Sequence, residues 1–179
     1  MIAIMLAGFS SLFDRAQDRR FDAGTTVFHT GARVIQVFFV KDGCAVLQRP
    51  LANGNAVCQQ RAKTGEVVAE ASVYADRYHC DCSVTEPTTL AALPLQEFRR
   101  ALQADAGLSE AWASYLAKAV QRTRMRAEIL TLNTVSEKLD AWLAEYGPLP
   151  EKGQWQGVAS ELSVSREAFY RELAKRRSD

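Results

Sequence analysis

The sequence predicts an α+β fold in which a small β-sandwich or barrel is followed by a long helix and then by a pair of short helices. Three observations predict it. Short apolar or alternating runs broken by turn residues extend from about Phe21 to Pro94, the apolar period becomes helical after Leu95, and two short helical patterns joined by a tight turn end the chain. With 179 residues, 47% of them hydrophobic, the chain can bury such a core.

Four stretches in the first half are strand candidates, namely residues 34–40, 44–48, 57–61 and 88–93. Asn53-Gly54 is a hairpin signal between the second and the third. The apolar start, Met1 to Gly8, is too short to span a bilayer and lacks the basic segment of a signal peptide, so we expect a small core or dimer-contacting element there. No other stretch approaches transmembrane length. The sequence therefore predicts a cytoplasmic protein in which the four cysteines need not form disulfides.

A long helix is predicted from about Ser109 to Leu130, with Ser109 and Glu110 as its N-terminal cap. Side chains along one face recur at alternating spacings of four and three: Trp112, Leu116, Ala119, Thr123, Arg126 and Leu130. Such a helix beside a small barrel packs either on the chain's own barrel or on a second copy of the chain. An amphipathic helix over residues 135–146 follows and ends at Gly147-Pro148.

The last two helices, residues 156–162 and 165–177, have the spacing of a helix-turn-helix, in which Ser165 is an N-cap. Arg166 and Arg171 lie in the exposed N-terminal half of the second helix, where such a helix meets base edges. Arginine can donate two hydrogen bonds to guanine, and Glu167 can accept one from cytosine. Although the whole chain carries a net charge of only +1, this segment is locally basic. The pattern alone is equally typical of a terminal helical hairpin with a solvated charged face.

The run from Val158 to Leu173 resembles the helix-turn-helix of the Crp/Fnr family of bacterial transcription regulators, whose members carry Ser-Arg-Glu-x-x-x-Arg. The upstream motifs resemble that family's cyclic-nucleotide-binding β-roll: Gly24-x-x-x-Phe28-x-x-Gly31, Phe39-Val40-x-x-Gly43 and Gly65-Glu66-x-x-x-Glu70. The resemblance implies a β-roll sensor of the jelly-roll type over residues 1–105, a dimerisation helix over 106–131 and a DNA-binding domain over 132–179.

The same resemblance implies a non-enzymatic homodimer that binds a palindromic double-stranded operator with half-sites like TGTGA and contacts RNA polymerase. Its DNA-binding residues are Ser165, Arg166, Glu167, Tyr170 and Arg171, with Ser165 at a phosphate. Phe169 and Tyr170 of the same helix can alter the half-site preference. Its dimerisation residues are Trp112, Leu116, Ala119, Thr123 and Leu130. The alternatives are a Crp-like regulator that responds to a cyclic nucleotide or another small molecule, and an effector-binding module without a DNA role. A cupin-type metalloenzyme would need a clustered His-x-His and a Glu, whereas the only histidines are His29 and His79, far apart in the sequence.

The sequence departs from the family at the nucleotide pocket. Ala69 stands where the family has glycine, and Cys80-Asp81-Cys82 stands where cyclic-nucleotide binders have Arg-Ser/Thr-Ala. Glu70, the ribose-binding position, is retained, but Asp81 would repel a phosphate and a cysteine cannot form a bidentate pair with one. Arg77 could replace the lost arginine only if the loop rearranged. We therefore expect a degenerate pocket of Glu70, Arg77 and Asp81 that does not bind cAMP.

A Cys-x-Cys replaces the phosphate clamp. On a strand, Cys80 and Cys82 face the same side, where two thiolates would suit Cu(I), or Zn(II) with further ligands, or a thiol-redox switch. Cys44, Cys58 and His79 are the candidate additional ligands, although His79 alternates to the opposite face, and His29 is interpreted as a packed or surface residue. The alternative is that the cysteines are small hydrophobic side chains that fill the barrel.

The C-terminus is a further departure. Family members usually continue into a β-hairpin wing, whereas this sequence stops at Asp179. Either the wing is dispensable or the sequence ends before it. Loss of the wing's phosphate contacts is expected to weaken non-specific affinity more than base preference.

Overall fold

The computed structural model describes residues 9–50 and 56–178, which form two compact units, one up to Ala117 and one from Lys118 onward. The apolar start of the chain and the Asn53-Gly54 hairpin signal lie outside the described residues. None of the helices in the described ranges is long and apolar enough to cross a membrane.

The first unit contains two four-stranded antiparallel sheets, in agreement with the predicted α+β class. The strands are β1 Gln17–Phe21, β2 Thr26–Phe28, β3 Gln36–Asp42, β4 Cys44–Pro50, β5 Ala56–Lys63, β6 Val67–Val68, β7 Asp81–Val84 and β8 Thr88–Pro94. One sheet has the order β1-β8-β3-β6 and the other β2-β7-β4-β5. The four strand candidates correspond to β3, β4, β5 and β8, because these strands have the clearest apolar runs.

The core of this unit lies between the sheets. Alternation directs Ala45 and Leu47 of β4, and Cys82 and Val84 of β7, into one buried cluster with residues of the opposite sheet such as Leu90. The turn from β3 to β4 requires Gly43, which has a φ of +91°. A Cβ at this position would lie 2.5 Å from the Thr88 Oγ1 atom.

Two helices follow the sheets, α1 Leu95–Ala104 and α2 Ala106–Thr131. The prediction that Ser109 and Glu110 cap the long helix is wrong. Asp105 breaks the helical backbone with φ −133° and ψ 111°, and its Oδ1 accepts hydrogen bonds from Gly107 N at 2.7 Å and Leu108 N at 3.2 Å. The side chain of Ser109 instead donates to the Leu102 carbonyl at 2.6 Å.

The second unit contains the end of α2 and three further helices, α3 Val135–Tyr146, α4 Trp155–Glu161 and α5 Arg166–Ser178. Helix α3 begins with a capping box between Thr134 and Glu137. It ends before Gly147, where the sequence predicted its end. The core of this unit is formed by Ile129, Leu139, Trp142, Val158, Ala159, Leu162, Phe169 and Leu173.

Candidate functional site

Helices α4 and α5 are joined by a tight turn at Leu162 to Ser165. Ser163 has a left-handed backbone with a φ of +52°, and its N–H donates to the Ser160 carbonyl at 3.2 Å. The Val164 N–H donates to the Ala159 carbonyl at 3.1 Å, so the chain reverses without leaving these donors unpaired. The Ser165 Oγ atom accepts from the Ala168 N–H at 3.1 Å. The short connection and the N-cap thus have the geometry that the sequence predicted.

Helix α5 buries one side and exposes the other. Phe169 is 0% exposed and Leu173 is 8% exposed, whereas Arg166, Glu167 and Arg171 are exposed. The pKa of the Glu167 carboxyl is lowered, first by a hydrogen bond from its own backbone N–H and then by one with the Ser165 side chain. The exposed face therefore presents two guanidinium groups and an ionised carboxylate together at the helix N-terminal half.

Tyr170 occupies a half-buried position beside this face. Its ring lies 5.7 Å from the ring of Trp155, centroid to centroid, and the guanidinium of Arg166 lies 5.4 Å above it. The Trp155 Nε1 atom donates to the Pro150 carbonyl at 2.8 Å, and the guanidinium of Arg177 lies 5.5 Å from the same indole. Arg166 therefore lies beside a tilted aromatic pair, Trp155 and Tyr170.

Not every basic residue of α5 is available to a ligand. The Arg176 Nη1 atom donates to Asp140 Oδ1 at 2.6 Å and its Nε to Glu172 Oε1 at 2.8 Å. Its Nη2 atom donates to the Ser136 carbonyl at 3.0 Å and to the Ser136 hydroxyl at 2.9 Å. Arg176 thus ties α5 to α3, and sequence analysis had counted it only as part of the basic segment.

Glu70, one of the residues expected in a degenerate nucleotide pocket, has a hydrogen-bond partner that sequence analysis missed. The Gln60 amide, on β5, donates from Nε2 to Glu70 Oε2 at 2.7 Å and to the Val67 carbonyl at 3.0 Å. Its Oε1 accepts from the Ala69 N–H at 2.9 Å. Ala69 stands at the family's glycine position and keeps a left-handed backbone, with φ +54° and ψ +47°. We call these contacts the Gln60 lock; its only sequence signal is a polar residue two positions before the buried Ala62.

The other two residues expected in this pocket have different partners. The Arg77 Nη1 atom donates to the Gly31 carbonyl at 2.6 Å, and the side chain is exposed. The Asp81 Oδ1 atom accepts from the Thr30 N–H at 2.7 Å, and this hydrogen bond is the main cause of the lowered pKa of Asp81. His29 lies beside it, with 3.7 Å between its Nδ1 and Asp81 Oδ1. His29 is therefore a surface residue, one of the two alternatives for it.

All four cysteines are free and buried. Cys80 and Cys82 belong to the main core, at 8% and 0% exposure, while Cys44 and Cys58 form a separate small cluster with Val46. Burial, and secondarily the proximity of Cys44, raises the pKa of the Cys82 thiol to about 12. His79 is exposed. Within residues 9–50 and 56–178, no group of three or more His, Cys, Asp or Glu side chains is placed to hold a metal ion.

Of the five residues expected at a dimer contact, Trp112 lies in the core of the first unit. Its side chain is 2% exposed and packs in the core of the first unit, at 5.4 Å from the Tyr115 ring and 5.0 Å from the Phe98 ring. Its ring therefore faces the core of its own unit. A spacing of three and four is typical of a core-facing stripe as well as of a dimer-facing one, so the sequence did not distinguish the two. Thr123 is exposed, while Leu116 and Leu130 are half-buried and Ala119 is buried.

The comparisons with known proteins agree with this geometry. The family model of the cyclic nucleotide-binding domain matches residues 18–105. No curated protein sequence matches the chain. Among solved structures, the c-di-GMP-responsive global regulator CLP of Xanthomonas campestris is 20% identical, with a TM-score of 0.74 over 97% of this chain and 92% of that one.

Two further structures have the same fold. FixK2 of Bradyrhizobium japonicum is 14% identical, with a TM-score of 0.79 over 91% of this chain and 85% of that chain. A transcriptional regulator of the CRP family from Thermus thermophilus, TTHB099, is 15% identical, with a TM-score of 0.68 over 89% of this chain and 84% of that chain. These similarities confirm the resemblance that the sequence motifs indicated.

Proposed function

Because residues 18–105 match the family model of the cyclic nucleotide-binding domain, on a chain with the fold of the Crp/Fnr regulators, we propose that the protein is a DNA-binding transcription regulator and not an enzyme. The observation that carries the proposal is the exposed face of α5. Arg166, Glu167 and Arg171 project from a helix whose opposite side is buried and whose start is capped by Ser165. Such an arrangement suits entry into a major groove.

We assign base contacts and a phosphate contact to different residues of α5 and its N-cap. Arg171 and Glu167 read base edges, and the Ser165 hydroxyl contacts a phosphate. Arg166 reads a base from a position set by the Tyr170 ring, so less side-chain entropy is lost on binding. Tyr170 places a phenol next to the bases. Because of this phenol, the protein binds a half-site other than TGTGA more tightly than TGTGA itself.

We propose that the protein acts in the cytoplasm as a homodimer on a palindromic operator and contacts RNA polymerase there. Val120, on the long helix α2, is 49% exposed, and we place the contact with the second copy on the helix face that carries it. Sedimentation of Val120→Glu tests the dimer, with Gln121→Glu as the control for the added charge. A dimer unaffected by Val120→Glu would contradict the placement of the interface.

The test of DNA binding is fluorescence anisotropy with a labelled library of palindromic duplexes. The parent protein is expected to select one half-site, and Arg171→Ala is expected to cost about 1–3 kcal/mol and to relax the choice at one base pair. Arg100→Ala, an exposed arginine on α1, is the control that leaves selection unchanged. Absence of a selected duplex in the reduced, oxidised and Cu(I)-treated protein would refute the proposal.

For the signal, the Gln60 lock supports a regulator that does not respond to cAMP. The hypothesis that Cu(I), another thiophilic metal or thiol oxidation acts at Cys80 and Cys82 stays a prediction. The raised pKa of Cys82 keeps its thiol protonated at neutral pH, so such a signal must displace a proton in a core that has opened. Thiol counts before and after oxidation and Cu(I) titration test it, with Cys80→Ser/Cys82→Ser as the control. Unchanged DNA binding and metal content in that variant would contradict it.

A further inference from the structure

A groove on the outside of the first unit lies between α1, α2 and the short turn Glu70–Tyr74. It has a volume of about 520 Å³, which is within the range of small-molecule sites. The side chains that line it are Tyr74, Arg99, Leu102, Gln103, Ser109 and Trp112, with Ala113 and Leu116. The groove is separate from the Gln60 lock, although both include residues of the same turn.

Tyr74 forms one wall and is held in place although it is exposed. Its side chain is 63% exposed. The Trp112 Nε1 atom donates to the Tyr74 hydroxyl oxygen at 3.0 Å. A fixed aromatic face towards solvent offers a stacking surface at little entropic cost.

Arg99 supplies the charge. Its guanidinium lies 6.0 Å from the Tyr74 ring centroid, and its Nε atom donates to the Val73 carbonyl at 3.0 Å, as does its Nη2 atom. A guanidinium has five N–H donors, so the Val73 carbonyl uses only two of them. Among the described side chains that line the groove, Arg99 is the one with a formal charge, and Leu102 and Leu116 provide an apolar floor.

From this arrangement we propose that the groove binds a planar aromatic carboxylate of one or two rings. The ring stacks on Tyr74 and contacts the apolar floor, while the carboxylate accepts hydrogen bonds from the remaining donors of Arg99. The amide of Gln103 lies within the same lining and adds a donor to the carboxylate. Neither the DNA-binding function nor the cyclic-nucleotide pocket is needed for this site.

The probe is 1-naphthoate, and its uncharged amide, 1-naphthamide, is the matched ligand control. Isothermal titration of the full chain without DNA is expected to show 1-naphthoate binding about tenfold or more tightly than the amide, because hydrogen bonds between a carboxylate and a guanidinium are charge-assisted and stronger than those of a neutral amide. Arg99→Gln keeps a donor for the Val73 carbonyl and is expected to abolish this difference. Arg100→Gln, the same change at the next, exposed arginine, is expected to preserve it.

Tyr74→Leu is expected to weaken the binding of both ligands to a similar extent, because it removes the stacking surface and leaves Arg99 in place. Circular dichroism and thermal unfolding of each variant show that it is folded. The proposal is overturned if 1-naphthoate does not bind, if it binds no better than 1-naphthamide, or if folded Arg99→Gln retains the preference. Because no DNA is present, any of these results leaves the proposed DNA-binding function unaffected.

Discussion

The Gln60 lock predicts a large loss of local stability in Gln60→Ala. The substitution removes hydrogen bonds of 2.7, 2.9 and 3.0 Å that Gln60 makes with Glu70, Ala69 and Val67. Val67 is 0% exposed and Ala69 is 7% exposed, so water cannot replace the amide at their backbone groups unless the turn opens.

The magnitude follows from these contacts. A typical hydrogen bond contributes about 0.5–1.5 kcal/mol net, and a buried group left without its partner costs about 1–3 kcal/mol. We therefore expect Gln60→Ala to lose about 2–4 kcal/mol, allowing for partial relaxation. The left-handed backbone of Ala69 costs roughly 1–2 kcal/mol in a non-glycine residue and persists only where contacts enforce it, so we expect the turn to relax from this conformation once the Gln60 contacts are gone.

Native-state amide hydrogen exchange measures this loss at the site. A loss of about 2 kcal/mol corresponds to a roughly 30-fold faster exchange of the Ala69 N–H when exchange follows the opening equilibrium. Gln96→Ala, which truncates an exposed glutamine on α1, is the control and is expected to change stability by less than about 0.5 kcal/mol. If the Ala69 amide exchanged at the parent rate in Gln60→Ala, the lock would not stabilise the turn and the reasoning would be refuted.

Three further predictions concern the cap, the buried thiol and the Arg176 contacts. Ser165→Ala is expected to destabilise the second unit by about 1 kcal/mol in urea unfolding, because it removes the acceptor of the Ala168 N–H; an equal loss in Ser160→Ala would show that the effect is not specific to the cap. The pKa of Cys82 rises from 9.0 to about 12 on folding, so the unfolded chain ionises first and the stability due to the neutral thiol, complete below pH 9, is lost as the pH rises towards 12. Between about pH 9 and pH 12, the free energy of unfolding should fall with pH less steeply in Cys82→Ala than in the parent, by about 1.4 kcal/mol per pH unit. An unchanged dependence of the free energy of unfolding on pH would contradict the burial argument. Arg176→Ala is expected to cost about 0.5–1.5 kcal/mol and not the sum of its contacts, because the Arg176 and Asp140 side chains are 28% and 64% exposed; a double-mutant cycle with Asp140→Ala measures the coupling.

The parts of the fold that the sequence predicted are those with a local signal. The end of α3 at Gly147 and the cap of α5 at Ser165 follow from residue types that satisfy backbone groups at helix ends. The start of α2 was misplaced because Asp105 and Ser109 both have the residue type of an N-cap. Only the break in the backbone at Asp105 distinguishes them.

Sequence analysis predicted the candidate-site residues whose side-chain type alone indicates a role. Arg166, Glu167 and Arg171 were identified, and the structure places them together on an exposed face. The partner of Glu70 was not identified, because the side that Gln60 faces depends on the register shift between β4 and β5 near Leu47. Such a shift reverses the alternation and leaves no trace in the composition.

The three indole groups of the chain have an experimental consequence. Trp112 donates to the Tyr74 hydroxyl, Trp142 to Glu161 Oε2 at 3.0 Å and Trp155 to the Pro150 carbonyl. Each is therefore an intrinsic fluorophore with its own fixed acceptor, beside the groove, in the core of the second unit and next to α5 respectively. Double Trp→Phe variants that retain Trp112 alone or Trp155 alone would allow a bound aromatic acid or a bound duplex, respectively, to be followed optically without an added label.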